Sequence, residues 1–178
     1  MFKILIGVVI AAFIVIVAFM VIDPKVNQET VYNTISTNST STYSLTIEGE
    51  VAKPGTYVLE EGAIMQDLVD TAGGLTSNGD VRCYFESATL VAKSTYYIAP
   101  IYNEGDVCNT DPIAKVNINS DDSETLMSIN GISSSIASSI ISYRSENGDF
   151  MTIESLLDVY GIGNATYKKI RNYVILHE

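Results

Sequence analysis

The densest anion-holding chemistry in the chain lies between residues 159 and 171. Val159-Tyr160-Gly161-Ile162-Gly163 reads as a tight turn, and Lys168, Lys169 and Arg171 follow on the next helix. Turn amides and the N–H groups at a helix start donate hydrogen bonds to an anionic oxygen, and nearby cations add charge. Thirty residues earlier the turn recurs as Ile129-Asn130-Gly131-Ile132-Ser133. In that copy Ser138, Ser139 and Ile141 stand where the second has Lys168, Lys169 and Arg171, leaving Ser133 and Ser135 hydroxyls as the polar groups. Arg144 adds a charge from the joining segment.

Other chemistry is sparse. His177 is the sole histidine, one residue from the last, and reads as a frayed surface residue. It has no partners for Ser/His/Asp catalysis. Glu60-Glu61 and Asp121-Asp122 read as solvated or capping acids rather than acid/base pairs. No phosphate loop of the P-loop type, CxxC pair or histidine cluster is present. The expectation is a protein that is not an enzyme, with no catalytic residue, metal or cofactor.

The elements that position the two turns form one unit written twice over 116–176. Glu124, Leu126, Met127, Ile129, Gly131 and Ile132 fall on Glu154, Leu156, Leu157, Val159, Gly161 and Ile162. Each unit reads as helix, turn, helix. In the first, Asp121 or Ser120 caps the opening helix with Glu124 as capping-box acid, and Ile136, Ala137, Ile140 and Ile141 mark the second helix.

The formal net charge of −11 argues against generic polyanion binding. Residues 113–178 are themselves acidic, with 8 acids against 5 bases. Any anion site there is a local basic patch.

Ile4–Ile22 carries no charge and is long enough, at about 28 Å, to cross a bilayer as a helix. The exit Phe19-Met20-Val21-Ile22-Asp23-Pro24 lacks a small-residue cleavage site, so residues 1–22 read as an uncleaved membrane anchor. Lys3 and the amino terminus keep the short end cytoplasmic and place the remainder outside. Residues 23–42 form a polar linker. In an extracellular segment the two cysteines, Cys83 and Cys108, suggest a disulfide; two free or metal-binding thiols are the alternative.

Residues 43–102 read as a small α+β domain. Leu45 and Ile47 alternate with polar residues in a strand, Lys53-Pro54-Gly55 turns, and Thr56-Tyr57-Val58-Leu59 returns. Ile64, Met65, Leu68 and Val69 give a helix stripe stopped by Gly73-Gly74, and Tyr96-Tyr97-Ile98-Ala99-Pro100 is a last strand. The tyrosines at 57, 84, 96, 97 and 102 read as core or cross-strand residues rather than a stacking surface. Residues 103–115 read as a linker.

On these residues two resemblances stand. The repeated turns, with Ala137, the lead-in Val116-Asn117-Ile118-Asn119 and the joining segment from Tyr143 to Phe150, resemble a tandem helix-hairpin-helix domain. Their arrangement is similar to the C-terminal domain of the ComEA family of bacterial competence DNA receptors. Ser133 replaces a usual glycine, and Tyr167 stands where the first copy has Ala137. Ile47-Glu48-Gly49-Glu50-Val51, Lys53-Pro54-Gly55-Thr56-Tyr57, Ala72-Gly73-Gly74-Leu75 and Ile98-Ala99-Pro100 resemble the SLBB β-grasp family.

The resemblance implies an α+β chain: an N-terminal transmembrane helix, an SLBB-type domain at 43–102 and an all-α tandem hairpin domain at 116–176. It implies a single-pass cell-membrane receptor that binds double-stranded DNA by its backbone, for uptake in transformation. The expected contacts are Gly131, Ile132, Ser133, Ser135, Arg144, Gly161, Ile162, Gly163, Lys168, Lys169 and Arg171. Neutralising three or four phosphates sets an expected salt slope near −3. The β-grasp domain is expected to self-associate or contact the uptake machinery. The other reading is an envelope adaptor whose hairpin module binds proteins.

Overall fold

The computed structural model describes residues 41–103 and 111–178. The expected anchor at 4–22, nearly all of the linker at 23–42, and Cys108 lie outside them. No helix among the described residues is long and apolar enough to cross a membrane.

Strand β1 (Thr42–Gly49) is the centre of the first sheet, and its alternation puts Leu45 and Ile47 in the core. The turn at Lys53–Gly55 returns the chain as β2 (Gly55–Glu60), antiparallel to β1 with Thr42 opposite Glu60 and Ile47 opposite Gly55. Strand β3 (Thr95–Ile98) lies parallel on the other side of β1, giving the order β2-β1-β3. A parallel neighbour needs a long crossover. Helix α1 (Met65–Thr71) lies within it, burying Met65, Leu68 and Val69. Tyr84 and Tyr96 are buried, as a core role for the tyrosines requires, while Tyr102 is exposed.

The second half opens with the two-residue strand β4 (Val116–Asn117), paired in parallel with β5 (Val174–Ile175) near the chain's end. Between them lie α2 (Ser123–Met127), α3 (Ser134–Asn147), a 3-10 turn at Ile153–Asp158, and α4 (Asn164–Ile170). Asp122, not Asp121 or Ser120, caps α2, accepting from Thr125 N at 2.8 Å. Asp121 is occupied with the Asn117 amide, also at 2.8 Å. The opening helix of the second copy is 3-10 rather than α. Asn119 ties both ends of the unit together: its side chain accepts from Phe150 N and donates to the carbonyls of Phe150 and Leu176.

The two halves share one compact unit, Thr40–Glu178, and one apolar cluster runs through both. Tyr84 bridges to Thr152, Phe85 N donates to Met151 O at 2.9 Å, and Leu176 N donates to Arg82 O at 2.7 Å. The segment read as a linker is packed at its end. Ile113 is buried and donates its amide to Ile101 O at 2.8 Å. Lys115 is buried with its Nζ 2.6 Å from Asp80 Oδ2. Arg82 meets the same carboxylate through Nε and Nη2, each at 2.9 Å. Burial alone would raise the Asp80 pKa, but these hydrogen bonds outweigh it and hold the carboxyl at about 2.

One reading of a single residue changes. His177 is not frayed: its ring packs on Phe85 with centroids 4.8 Å apart, and Nε2 sits 3.1 Å from Tyr84 O. The expected pairing of Cys83 with Cys108 falls outside the described residues. The Cys83 thiol has no cysteine partner among them; it is fully buried and donates to Asp80 O at 3.0 Å. Burial pushes its pKa up to about 12.

Candidate nucleic-acid interface

The two turns share their backbone hydrogen bonds. Ile132 N donates to Ile129 O and Ile162 N to Val159 O, both at 3.0 Å. Ala137 N donates to Ser133 O at 2.8 Å, and Tyr167 N to Gly163 O at 2.9 Å. Gly131 and Gly161 hold positive φ, at 122° and 93°, a region side chains rarely adopt. The 30-residue repeat is therefore a repeat of geometry.

Each turn packs on the helix of the other copy. A Cβ on Gly131 would stand 3.0 Å from Ile170 Cγ2 and 3.2 Å from Lys169 Cδ. One on Gly161 would stand 3.5 Å from Ile136 Cγ1. Ile132 and Ile162 are buried. Their side chains anchor the turns in the core, and their amides are already used within the turns, so neither offers a donor to a ligand.

The amides of Gly131, Ser133, Gly161 and Gly163 donate to no group among the described residues. Ser133 caps α3, its Oγ accepting from Ile136 N at 3.3 Å. Gly163 occupies the equivalent cap of α4 without a side chain, and nothing lies within 4 Å of where its Cβ would be. Ser133, Ser135, Gly161 and Gly163 are exposed.

The expected cations divide. Lys168 is exposed and free of partners among the described residues, and Lys169 is exposed with Nζ 2.9 Å from Asn130 Oδ1 of the first turn. Arg144 points inward instead, donating to Ile118 O at 2.7 Å and Asp121 O at 2.8 Å. Two backbone carbonyls have taken the donors expected to face a phosphate. Arg171 is also turned away. It follows the last residue of α4, sits over the Tyr97 ring and reaches to 4.0 Å from Glu48. Its backbone stays helical, with Arg171 N donating to Tyr167 O at 2.9 Å, but the guanidinium is drawn to the first half and away from the exposed Lys168.

Glu154 is the polar residue of this region that sequence reasoning passed over. It aligns with Glu124 and reads as a capping acid. In the fold its Oε1 accepts from Tyr97 N at 2.7 Å and from the Tyr167 hydroxyl at 2.9 Å. Burial raises its pKa despite those bonds. The mismatch of Tyr167 with Ala137 was the available signal: the larger residue supplies the hydroxyl that holds this carboxylate against β3.

Comparison with known proteins bears on this geometry. The helix-hairpin-helix motif matches residues 111–175, and the SLBB domain matches residues 45–84. ComE operon protein 1 of Bacillus subtilis is 32% identical over 146 residues, covering 76% of this chain and 71% of that protein. An uncharacterized protein of Haemophilus influenzae is 44% identical over 62 residues, covering 34% of this chain and 55% of its own length. The mouse endonuclease/exonuclease/phosphatase family domain-containing protein 1 is 42% identical over 60 residues, only 10% of its length. With both domain types in order and the Bacillus relative matched along most of its length, the chain belongs to the ComEA family of bacterial competence proteins.

Proposed function

We propose that this chain is a membrane-anchored receptor at the outer face of the cell that binds double-stranded DNA by its phosphate backbone, for uptake in transformation. The observation that carries the reading is the pair of turns with matching backbone hydrogen bonds, each with exposed, unspent backbone donors. The second also has the exposed Lys168 and Lys169 on the helix that follows it. Backbone amides and lysine ammonium groups recognise phosphates without reading bases, so affinity is independent of sequence. The uncharged run 4–22 supports the anchor. The SLBB half is the self-association or machinery-contact module; its edge strand β2 carries Val58, 67% exposed. No catalytic step, metal or cofactor enters this reading.

The adaptor reading draws on the acidic balance and on Lys115, Arg144 and Arg171 being held internally. One experiment separates the two: the affinity of the full chain for random-sequence duplex, measured across salt concentrations. With two lysines engaged, log affinity falls against log salt with a slope near −2 rather than −3. Lys168→Ala with Lys169→Ala removes most of that slope and weakens all sequences equally. A folded double variant that binds as the parent does overturns the site, and a parent that binds no duplex favours the adaptor.

A further inference from the structure

Tyr160 is the most exposed large apolar side chain among the described residues, at 87%. Its counterpart in the first turn, Asn130, is held by Lys169 at 2.9 Å. Tyr160 has no hydrogen-bond or ring partner among the described residues. It thus adds nothing to the core, yet it stands directly before Gly161, whose amide is unspent.

Beside it runs a groove of about 570 Å³ between α3 and the second turn. Its walls carry the hydroxyls of Ser135 and Ser139, the Asn147 amide, and the carboxylates of Glu146 and Asp158. No cation lines it. A phosphate would be repelled there, whereas a neutral nucleobase finds an aromatic face and hydrogen-bonding groups for its edge. A base lies one sugar away from its own phosphate, so a phosphate held at Gly161 brings its base within reach of the Tyr160 ring.

Resting on the DNA-binding reading, we infer that Tyr160 and this groove form a stacking site for one unpaired base. The chain then favours DNA with single-stranded ends or gaps over continuous duplex. Paired bases are already stacked and cannot turn onto the ring, while an unpaired base stacks on an aromatic side chain with any sequence.

The test compares two duplexes that differ only in their single-stranded overhang. One overhang carries bases, and the other is abasic with the same phosphates and sugars. The full chain in neutral detergent is titrated by fluorescence anisotropy, with 2-aminopurine in the base-bearing overhang reporting stacking. The expected result is about tenfold tighter binding of the base-bearing overhang with quenched 2-aminopurine. The preference falls towards onefold in Tyr160→Ala and persists in Tyr160→Trp. Thermal unfolding of each variant confirms that the fold is retained. Equal affinity for both overhangs, with salt-dependent duplex binding intact, overturns the stacking site and leaves the DNA reading standing. A preference that survives Tyr160→Ala overturns the assignment to this residue. Failure to bind any DNA overturns the underlying reading, and the stacking site with it.

Discussion

The guanidinium carbon of Arg171 lies 3.5 Å from the centroid of the Tyr97 ring, joining the end of α4 to strand β3. Tyr97 meets the second half twice more, through its amide to Glu154 and its hydroxyl to Asn172 Oδ1 at 2.9 Å. The second hairpin is thereby seated on the SLBB sheet, and a residue that reads as a DNA contact serves the seam instead. Arg171→Ala is therefore expected to cost about 1–2 kcal/mol of stability, the loss of a partly desolvated cation–π contact. It leaves the salt slope for DNA unchanged. Chemical denaturation alongside salt titration checks both; a slope reduced by about 1 identifies Arg171 as a phosphate contact after all.

Asp80 joins the same halves by charge. Replacing it with Asn leaves Lys115, whose side chain is 2% exposed, buried without its counter-charge. A loss of about 3–5 kcal/mol is expected. The folded pKa of about 2 lies below the ordinary 3.8. The stabilisation is thus complete above pH 3.8 and is lost as pH falls through the folded value, an effect on the order of 2 kcal/mol. Unfolding free energies of parent and Asp80→Asn across this acid range should converge by that amount.

Glu154 behaves in the opposite sense. Its carboxyl is held above the ordinary 4.5 by burial, so the folded state binds the proton more tightly than the unfolded chain. Stability from this group is full below pH 4.5 and falls as pH rises through the folded value. Glu154→Gln keeps an oxygen for the Tyr97 amide and the Tyr167 hydroxyl, and it should abolish that decline. Glu154→Ala strands both donors and costs about 1–3 kcal/mol. Urea unfolding at acidic and neutral pH distinguishes the variants, and a decline that persists in the Gln form assigns it to another group.

The hairpin glycines are not equivalent. Gly131→Ala adds a Cβ at positive φ, 3.0 Å from Ile170 Cγ2, and should destabilise the fold by about 1–3 kcal/mol. Gly163 has an ordinary φ of −96° and open space around it. Gly163→Ser should supply the missing cap of α4 and stabilise by a few tenths of a kcal/mol, roughly the Ser-over-Gly difference at such a position. As at Ser133, which caps Ile136 N, the new hydroxyl takes the amide three residues on, at Thr166, and leaves the Gly161 and Gly163 amides unspent, so DNA affinity is expected to hold as stability rises. A loss of affinity in salt titrations of the stabilised variant would instead add the Thr166 amide to the binding surface.

The sequence by itself determined what is local or periodic. The 30-residue offset marked the two turns, and Gly131 and Gly161 stand at positive φ as their place in the repeat requires. The alternation in β1, the Lys53–Gly55 turn and the stripe of α1 were equally legible, because each depends on near neighbours along the chain. The 3-10 form of Ile153–Asp158 and the cap at Asp122 were not, since each depends on competing hydrogen bonds a few residues away. What each charge does was decided by the tertiary structure alone. Arg144, Arg171, Lys115 and Glu154 look like surface residues, yet their partners are 26, 74, 35 and 57 positions away along the chain, at Ile118, Tyr97, Asp80 and Tyr97. A charged side chain goes where desolvation is best offset by hydrogen bonds and opposite charge, and those partners become neighbours only in the folded chain: Ile118 when the second half closes on itself, Tyr97 and Asp80 when the two halves meet.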